Sequence, residues 1–440
     1  MTNLIYALIF SSFLPVSYFS IDTGFFQFSI FRILLIIATL ATFYKLLTLK
    51  DEFGRIQKTL KVYSVFFQFI WLVYALISYF WVIDKIAWFT SVYFLGLGLF
   101  SVFLINYFFR NIREIKTAIL IIAVVIFLNT IIGYYEVFTT NYQFLDEEIA
   151  LDYATRRYPV SWFYNPNDFA MLMLVGFNIM IYLTNQEYKY KWINIIFLLE
   201  TSFIIPLIFI AKSRANIIGI EISIFVLLIF YFVKKRKQQI IILFCVLALS
   251  TLLLILLNKL DLYDYGASSL SFGAKRDISI SNRVNLIKNG LIFLYRTYGF
   301  GVGAGNIEYW MAKFAVYPVF AVNMHNWWAE LLTAYGIIIL IGYLVFYGRI
   351  TVHAAYIAFS YPTESDEFNI SVLIVSMMAG LSIGLIGSSS NFGSEWLWIF
   401  MAILSVLQMV IVPQVSKDSS VFENLIFKFC YFGQTKEIEQ

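Results

Sequence analysis

Long apolar stretches recur along this chain, and short polar segments separate them. Most stretches approach the roughly 20 residues that an α-helix needs to cross a hydrocarbon core about 30 Å thick. The pattern therefore predicts twelve membrane-spanning helices. Their expected positions are residues 3–20, 25–47, 62–83, 87–109, 117–139, 168–184, 192–210, 215–233, 239–257, 326–347, 369–388 and 395–412.

Positively charged residues gather in every second connection between these stretches. They lie within 45–61, 110–116, 189–191 and 234–237, the last of which reads KKRK. Lys and Arg in short loops resist translocation, so these connections and both chain termini are expected in the cytoplasm. The tail at 413–440 then lies inside the cell, and its VFENLIFKFCYF segment is expected to form a short amphipathic helix on the membrane surface.

Two connections on the extracytoplasmic side are longer than a turn, one at 140–167 and a larger one at 258–325. Long loops escape the charge rule, so the Lys and Arg residues of the larger loop do not overturn the topology. No 20–50-residue repeat or low-complexity segment divides the chain. Residues 1–440 are therefore expected to form a single polytopic membrane domain whose large outer loop carries short helices.

Composition supports this class. Hydrophobic residues make up 61% of the 440 residues and charged residues 13%, whereas soluble domains are about a quarter charged. The fold class is therefore predicted as all-α integral membrane. The net charge of +4 comes from the loop clusters and indicates no nucleic-acid partner. Cys245 and Cys430 are expected to be packing residues, and the N-terminus, without a basic region or small-residue cleavage site, a retained helix.

A few charged residues fall inside the predicted spans, where each needs a partner or a function because lipid solvates charge poorly. For Arg32, Glu200 and Glu221 an internal ion pair that fixes helix packing is favoured over a functional role. Glu330 lies near the outer end of the tenth span, close to the segments described next.

The segment SRAN at 213–216 joins two spans on the outer side. Ser213, Arg214 and Asn216 would meet the start of a helix, whose free N–H groups and partial positive charge favour an anion. Arginine adds a planar fork that grips two phosphate oxygens. The alternative is an interfacial anchor, because Arg side chains also reach out to lipid headgroups.

The large outer loop contains SNRVNLIKNGLIFLYRTY at 281–298, which predicts an amphipathic helix capped by Ser281 or Asn282. Arg283 would share one face of it with Ile287 and Gly290. Glycines then follow in GFGVGAGN, where Gly303 and Gly305 are expected to allow close backbone approach to a ligand. The alternative is an ordinary flexible loop, and a dinucleotide fingerprint is excluded because no strand precedes it.

His325 opens the tenth span, followed by Asn326 and, one turn on, Glu330. An imidazole with a pKa near 6.5 is the usual side chain for moving a proton at neutral pH. A lone histidine is more often a satisfied polar residue, and His353 is interpreted in that way. His325 differs because two arginines and the glycine loop accompany it. No second His or Cys is close enough to predict a metal site.

Four segments occur in an order that resembles the O-antigen polymerase and O-antigen ligase family of bacterial membrane glycosyltransferases. They are YNPNDFA at 164–170, SRAN at 213–216, NRVNLIKNGLIFLYRTYGFGVGAGN at 282–306 and HNWWAELLTAYGIIIL at 325–340. The similarity covers roughly 160–345. Its most specific element is the His-Asn opening, with ten residues between His325 and Gly336.

The resemblance implies a C-type glycosyltransferase-like architecture and an active site on the outer face of the bacterial plasma membrane. It implies that Arg214 and Arg283 grip the pyrophosphate of an undecaprenyl-linked glycan and that His325 is the essential histidine. The donor is already activated, so no cofactor is expected. The supporting residues are Asn165, Asp168, Ser213, Asn216, Gly303, Gly305, Asn326 and Glu330.

The predicted function is a polysaccharide polymerase that transfers the lipid-linked glycan to an acceptor sugar hydroxyl. A ligase that moves the glycan to a different acceptor, such as lipid A core, protein or wall, has the same motifs. A flippase for the lipid-linked glycan is the rival from another class, although its mid-membrane cavity and broken helices are not indicated. Expected partners are the lipid-linked glycan, an acceptor glycan, the bilayer and other polysaccharide-assembly proteins, with no nucleic acid.

Overall fold

The computed structural model describes residues 1–16, 18–22, 27–49, 52–262, 273–387 and 391–411. Within these ranges the protein is built almost entirely from α-helices, and a two-stranded antiparallel hairpin follows the first one. The elements are, in chain order, α1 Thr2–Ser11, β1 Ser20–Asp22, β2 Gln27–Ser29, α2 Ile30–Thr48, α3 Glu52–Lys61, α4 Tyr63–Ile77, α5 Lys85–Phe108, α6 Ile112–Thr139, α7 Glu147–Arg156, α8 Pro166–Thr184, α9 Lys191–Ile210, α10 Arg214–Val233, α11 Lys237–Lys259, α12 Gly273–Arg296, α13 Ile307–Phe314, α14 Trp327–Ser360, α15 Asp366–Gly384 and α16 Glu395–Val410. Short 3₁₀ turns lie at Ser78–Phe80 and Asn391–Gly393.

The predicted all-α integral membrane fold is confirmed. Ten helices of the described chain are long and apolar enough to cross a bilayer, and α1 and α16 are shorter apolar helices. Together they match the twelve predicted spans one by one. The first prediction was wrong in length, because α1 ends at Ser11 and the chain turns before Pro15, which cannot donate the backbone hydrogen bond that continues a helix. The tail at 413–440 lies outside the described residues.

Helix α8 forms the centre of the bundle, since every residue from Phe169 to Thr184 is buried. It lies against α10 and α15, which approach each other closely where Gly219 meets Gly380. A Cβ atom added at Gly219 would lie 2.9 Å from the Gly380 carbonyl oxygen. Such small residues are typical of helix interfaces in membranes, where packing replaces hydrophobic burial as the driving force.

A buried hydrogen-bond network joins the same three helices. Asn178 Nδ2 donates to Ser223 Oγ at 3.2 Å, and Ser376 Oγ donates to Asn178 Oδ1 at 2.8 Å. Ser223 Oγ in turn donates to the Ser376 carbonyl oxygen at 3.0 Å. Hydrogen bonds between spans stabilise their association because hydrocarbon offers polar groups no other partner.

The predicted internal ion pairs were correct for one of three residues. Arg32 pairs with Glu395 on α16 at 2.7 Å, and both side chains are buried. Glu200 is buried and Glu221 is exposed, but neither pairs with a cation among the described residues. Cys245 was also misjudged, since it lies exposed on α11 rather than packed.

The large loop predicted at 258–325 contains the 24-residue α12 and the short α13. The predicted cap was wrong, because α12 begins at Gly273 and runs through Ser281 and Asn282. Asn282 instead accepts a hydrogen bond from the Phe320 backbone N–H at 2.7 Å. A cap and a helical Asn that binds a distant segment have the same sequence signature, so the pattern alone does not separate them.

Candidate functional site

Helices α8, α10 and α14 all begin at the same end of the bundle, which is called here the His325 end. Asn165 caps α8 by accepting a hydrogen bond from Asn167 N at 2.8 Å, and Pro166 follows as the first helical residue. Asn326 caps α14 by accepting from Trp328 N and Ala329 N. Each helix start presents N–H groups and partial positive charge, so their convergence favours an anion nearby.

Hydrogen bonds fix the starts of α8 and α10 to each other. Ser213 Oγ donates to Asn167 Oδ1 at 2.8 Å, and Asn216 Nδ2 donates to Asn167 O at 3.1 Å and to Ser213 Oγ at 2.8 Å. Ser213 and Asn216 are buried. They therefore hold Arg214, which is exposed as the first residue of α10, in a defined position. Asp168 lies in the first turn of α8 beside this network.

Asn167 is a member of this network that sequence reasoning missed. It lies inside the YNPNDFA segment, where its neighbour Asn165 carries the more conspicuous signal of a helix cap. The spacing within SRAN gives no information about a partner in another helix. The link between the two segments emerges only from the packing of α8 against α10.

The end of α15 connects α10 to the start of α14. Trp327 N donates to Leu385 O at 3.1 Å, and Trp328 Nε1 donates to Ser382 O at 2.9 Å. On the other side, a Cβ atom at Gly384 would lie 2.7 Å from Asn216 Oδ1, so the backbone of α15 touches the first turn of α10. The histidine segment and the SRAN segment are therefore held against the same helix end.

His325 is placed by an unusual backbone conformation. Its φ of 47° lies in the left-handed region, and its N–H donates to Asn323 Oδ1 at 3.1 Å. The imidazole is half-buried, and in the described part of the chain no protein group hydrogen-bonds its ring nitrogens. Burial, and then the charge of Arg283, lower the pKa of His325 below its usual 6.5, so the neutral form prevails at neutral pH.

Arg283 reaches the site from α12. Two turns further along the same face, Gly290 meets α14 and the residue before His325: a Cβ there would lie 2.5 Å from Thr333 Oγ1 and 2.7 Å from Met324 Cε. The predicted face of Arg283 and Gly290 therefore does point toward the histidine. Partial burial, and then the charge of Arg214, lower the pKa of Arg283, so the two guanidinium groups act on each other electrostatically.

On the side of α12 opposite Arg283, three asparagines hydrogen-bond the segment that leads to His325. Asn282 accepts from Phe320 N, Asn285 Nδ2 donates to Pro318 O at 2.9 Å, and Asn289 Nδ2 donates to Tyr317 O at 2.9 Å. Asn289 also accepts from Val316 N and Tyr317 N. This asparagine face, Asn282, Asn285 and Asn289, was missed from the sequence although its helical spacing was available as a signal.

Glu330 lies one turn into α14, where its N–H donates to Asn326 O at 2.8 Å. Its Oε2 is buried and accepts no hydrogen bond within the described residues. Glu330 therefore lies in the first turn of α14, close in sequence to His325, as the sequence predicted. The described residues contain no group of three His, Cys, Asp or Glu side chains arranged to hold a metal ion.

The glycine loop packs tightly against other parts of the chain, and contact of Gly303 and Gly305 with a ligand stays a prediction. A Cβ at Gly303 would lie 2.2 Å from Val82 Cγ1, and one at Gly305 would lie 2.2 Å from Ala87 O. Both residues have positive φ and fit the chain tightly against α5 and the turn before it. A glycine that meets another segment of the same chain and one that meets a ligand are indistinguishable in sequence.

The same loop docks into a break in α14. Gly336 interrupts the helix with φ 76° and ψ −173°. The carbonyl groups freed there accept hydrogen bonds from the glycine loop. Val302 N donates to Thr333 O and Gly303 N donates to Ala334 O, both at 2.8 Å. Ile337 N donates back to Gly299 O at 3.0 Å. The His-to-Gly spacing therefore marks a helical segment that ends where the loop replaces its backbone partners.

Comparison with known proteins bears on this arrangement. A family model described as O-antigen ligase matches residues 201–344, which include the SRAN segment, α12 and the start of α14. The teichuronic acid biosynthesis protein TuaE of Bacillus subtilis strain 168 is 28% identical over 407 residues, covering 91% of this chain and 82% of the relative. These matches confirm the resemblance to the O-antigen polymerase and ligase family that the sequence predicted, and the apolar helices agree with a multi-pass membrane protein.

Proposed function

We propose that this protein is a polysaccharide polymerase that transfers an undecaprenyl-pyrophosphate-linked glycan to a hydroxyl of an acceptor sugar at the outer face of the plasma membrane. The observation that carries the proposal is that the segments of Arg214, Arg283 and His325, from three separate helices or helix starts, are packed together at one end of the bundle. Like charges gathered in this way repel one another unless an anion binds between them. A pyrophosphate supplies that anion.

The proposed reaction needs a base and an anion clamp. The acceptor hydroxyl oxygen attacks the anomeric carbon, the bond from that carbon to the pyrophosphate oxygen breaks, and the anomeric configuration inverts. His325 accepts the hydroxyl proton, for which its lowered pKa keeps the imidazole neutral. Arg214 and Arg283 stabilise the negative charge that grows on the leaving pyrophosphate, assisted by the starts of α8 and α10.

The supporting residues act on position rather than on substrate in this proposal. Ser213 and Asn216 fix the first turn of α10, Asn165 caps α8, and Asn326 caps α14. Asp168 and Glu330 lie within the first turns of α8 and α14. Rigid placement of donor and acceptor groups supplies much of the rate in a reaction between two bound substrates.

The outer location rests on the charge rule. Lys and Arg residues concentrate at the opposite end of the bundle, at the ends of α2, α5, α8 and α10, and such residues stay in the cytoplasm. A cysteine at exposed Tyr298 should then react with a membrane-impermeant maleimide in intact cells, while a cysteine at exposed Lys189 should react only after permeabilisation. Both reporters need Cys245 and Cys430 replaced by Ser, and the reverse labelling pattern would overturn the topology.

A ligase is the second candidate, because the family model that matches the chain is described as O-antigen ligase. It would use the same donor site and differ only in the acceptor. The Bacillus relative is named as a teichuronic acid biosynthesis protein, and polymerisation of a wall polysaccharide agrees with that name.

Deletion of the gene in its own host separates the candidates. Polysaccharide and undecaprenyl-linked species would be compared on gels and by mass spectrometry. Single repeat units on the lipid without long chains support polymerase, whereas long chains that stay on the lipid support ligase. Repeat units trapped on the inner face would instead indicate a flippase and contradict the proposal.

A further inference from the structure

A polar cavity lies at the end of the bundle opposite the candidate site. Helices α3, α5 and α16 enclose about 490 Å³ there, within the range of about 300–1,000 Å³ that is typical of small-molecule sites. Among its lining residues, the polar and charged ones that matter here are Glu52, Arg55, Lys58, Asn106, Tyr107 and Arg110.

The lining carries more positive than negative charge. Among the described lining residues, three are basic, Arg55, Lys58 and Arg110, and one is acidic, Glu52. Arg55 lies 3.6 Å from Glu52 and stacks over the Tyr107 ring at 4.2 Å, so it is held rigidly in the wall. Arg110 is exposed at the end of α5, and within the described residues its guanidinium makes no ion pair. The cavity therefore favours an anion.

Asn106 adds a hydrogen-bond acceptor to this site. Its side chain is fully buried, and its Nδ2 donates to Val102 O at 2.9 Å and to Ser405 Oγ at 2.8 Å. Its Oδ1 accepts no hydrogen bond within the described residues. Buried polar atoms are nearly always paired, so a hydroxyl or ammonium group entering the cavity would satisfy this oxygen.

Other cations at this end differ from those of the cavity. Lys116 pairs with Asp366 at 2.7 Å, and Arg236 pairs with Glu364 at 3.5 Å. Those pairs lie between helices on the surface, whereas Arg55, Lys58 and Arg110 line one partly open cavity. The concentration of Lys and Arg at this end predicts that it faces the inner leaflet, where anionic phospholipids are enriched.

We propose that this cavity binds a glycerophosphate group, most directly the headgroup of an anionic phospholipid such as phosphatidylglycerol. The phosphate would contact Arg55 and Arg110, with Lys58 at the rim, and a glycerol hydroxyl would donate to Asn106 Oδ1. The site is independent of the proposed transferase function, because it shares no residue with the His325 end.

The test uses the full-length protein, purified in detergent and stripped of lipid. Native mass spectrometry would measure the apparent Kd for phosphatidylglycerol and for phosphatidylcholine. A Lys58→Gln/Arg110→Gln variant should bind phosphatidylglycerol roughly 10–30-fold more weakly, because each substitution removes one basic group that faces the phosphate. Arg113→Gln/Lys189→Gln removes the same charge from exposed positions at this end outside the cavity and should bind like the parent protein.

Three outcomes would overturn the proposal: equal affinity for both lipids, unchanged affinity in the cavity variant, or the same decrease in both variants, which would indicate general attraction to surface charge. Soluble glycerol 1-phosphate is added in a separate arm. If it competes with the lipid only in proteins whose cavity is intact, the glycerophosphate site is supported. Failure of competition together with lipid binding unaffected by the cavity variant would contradict it.

Discussion

The cations paired between helices at one end of the bundle contrast with the cations gathered at the His325 end. At the end that carries the basic loops, Lys116 and Arg236 pair with acidic residues of the α14–α15 connection and the start of α15. At the His325 end, the pKa of Arg283 is lowered by the charge of Arg214, and that of His325 by the charge of Arg283. Paired charges hold helices together, whereas gathered like charges are stable only with an anion between them, as a pyrophosphate site requires.

The largest expected effect is the loss of transfer when His325, but not His353, is replaced. His325→Ala should lower the transfer rate by about 10²–10⁴-fold, the usual contribution of a general base, while lipid-linked donor still binds. His353→Gln is the control, because His353 is buried and its Nε2 contacts Ile411 O at the opposite end. Turnover in proteoliposomes measures both, and an active His325→Ala protein would refute the site.

The break in α14 should be intolerant of a side chain. In Gly336→Ala the new Cβ would lie 2.2 Å from Gly299 O with φ at 76°, so we expect a loss of about 3 kcal/mol or more in unfolding free energy and no transfer. Gly348→Ala lies in the same helix with nothing within 4 Å and should be neutral or stabilising by up to about 1 kcal/mol. Thermal unfolding in detergent compares them, and equal melting temperatures would argue against the docked loop.

Loss of one site cation should weaken donor binding more than loss of a paired cation elsewhere. Arg283→Gln is expected to raise the donor Kd by roughly 10–100-fold, from a charge-assisted contact of about 1.5–3 kcal/mol. Lys116→Gln breaks the partly exposed pair with Asp366 and should leave donor affinity unchanged. Binding of fluorescent lipid-linked donor measures this, and similar effects of the two changes would remove the distinction between the ends.

The smallest expected effect is a shift in pH dependence. The lowered pKa of His325 means that the base form persists to a pH below 6.5, so transfer should fall only as pH drops through that lowered pKa. Arg283→Gln removes a positive charge that opposes protonation, so the acid limb of the rate at saturating donor should move to higher pH. An unmoved or downward-shifted limb would show that Arg283 does not act on His325.

Much of the fold was predictable because the membrane simplifies the pattern. The length of each apolar stretch alone located twelve helices, and buried α8 and exposed α11 were found equally well since both are apolar all round. The hairpin at β1 and β2 was not predictable in this way. Its residues overlap the ends of the first two predicted spans, 3–20 and 25–47, and have too few positions to establish a period of two.

The candidate site was predictable as a set of segments but not as an arrangement. Arg214, Arg283 and His325 stood out because each is polar beside an apolar run. Their meeting depends on contacts between distant residues, such as Trp327 N with Leu385 O and the asparagine face of α12 with residues 316–320. The contacts of the glycine loop were not predictable for the same reason, because its partner is a break in a helix that lies further along the chain.

The interrupted α14 has a mechanical consequence. Its first part, Trp327–Tyr335, is far shorter than the roughly 20 residues needed to cross a bilayer. The position of this part along the membrane normal therefore depends on the docked loop and not on lipid. The part beyond Gly336 spans alone. Helices adjust to thicker or thinner bilayers by tilting. In α14 the part beyond Gly336 can tilt without moving the part before it. His325 and Arg283 then keep their separation when the host changes the thickness of its membrane.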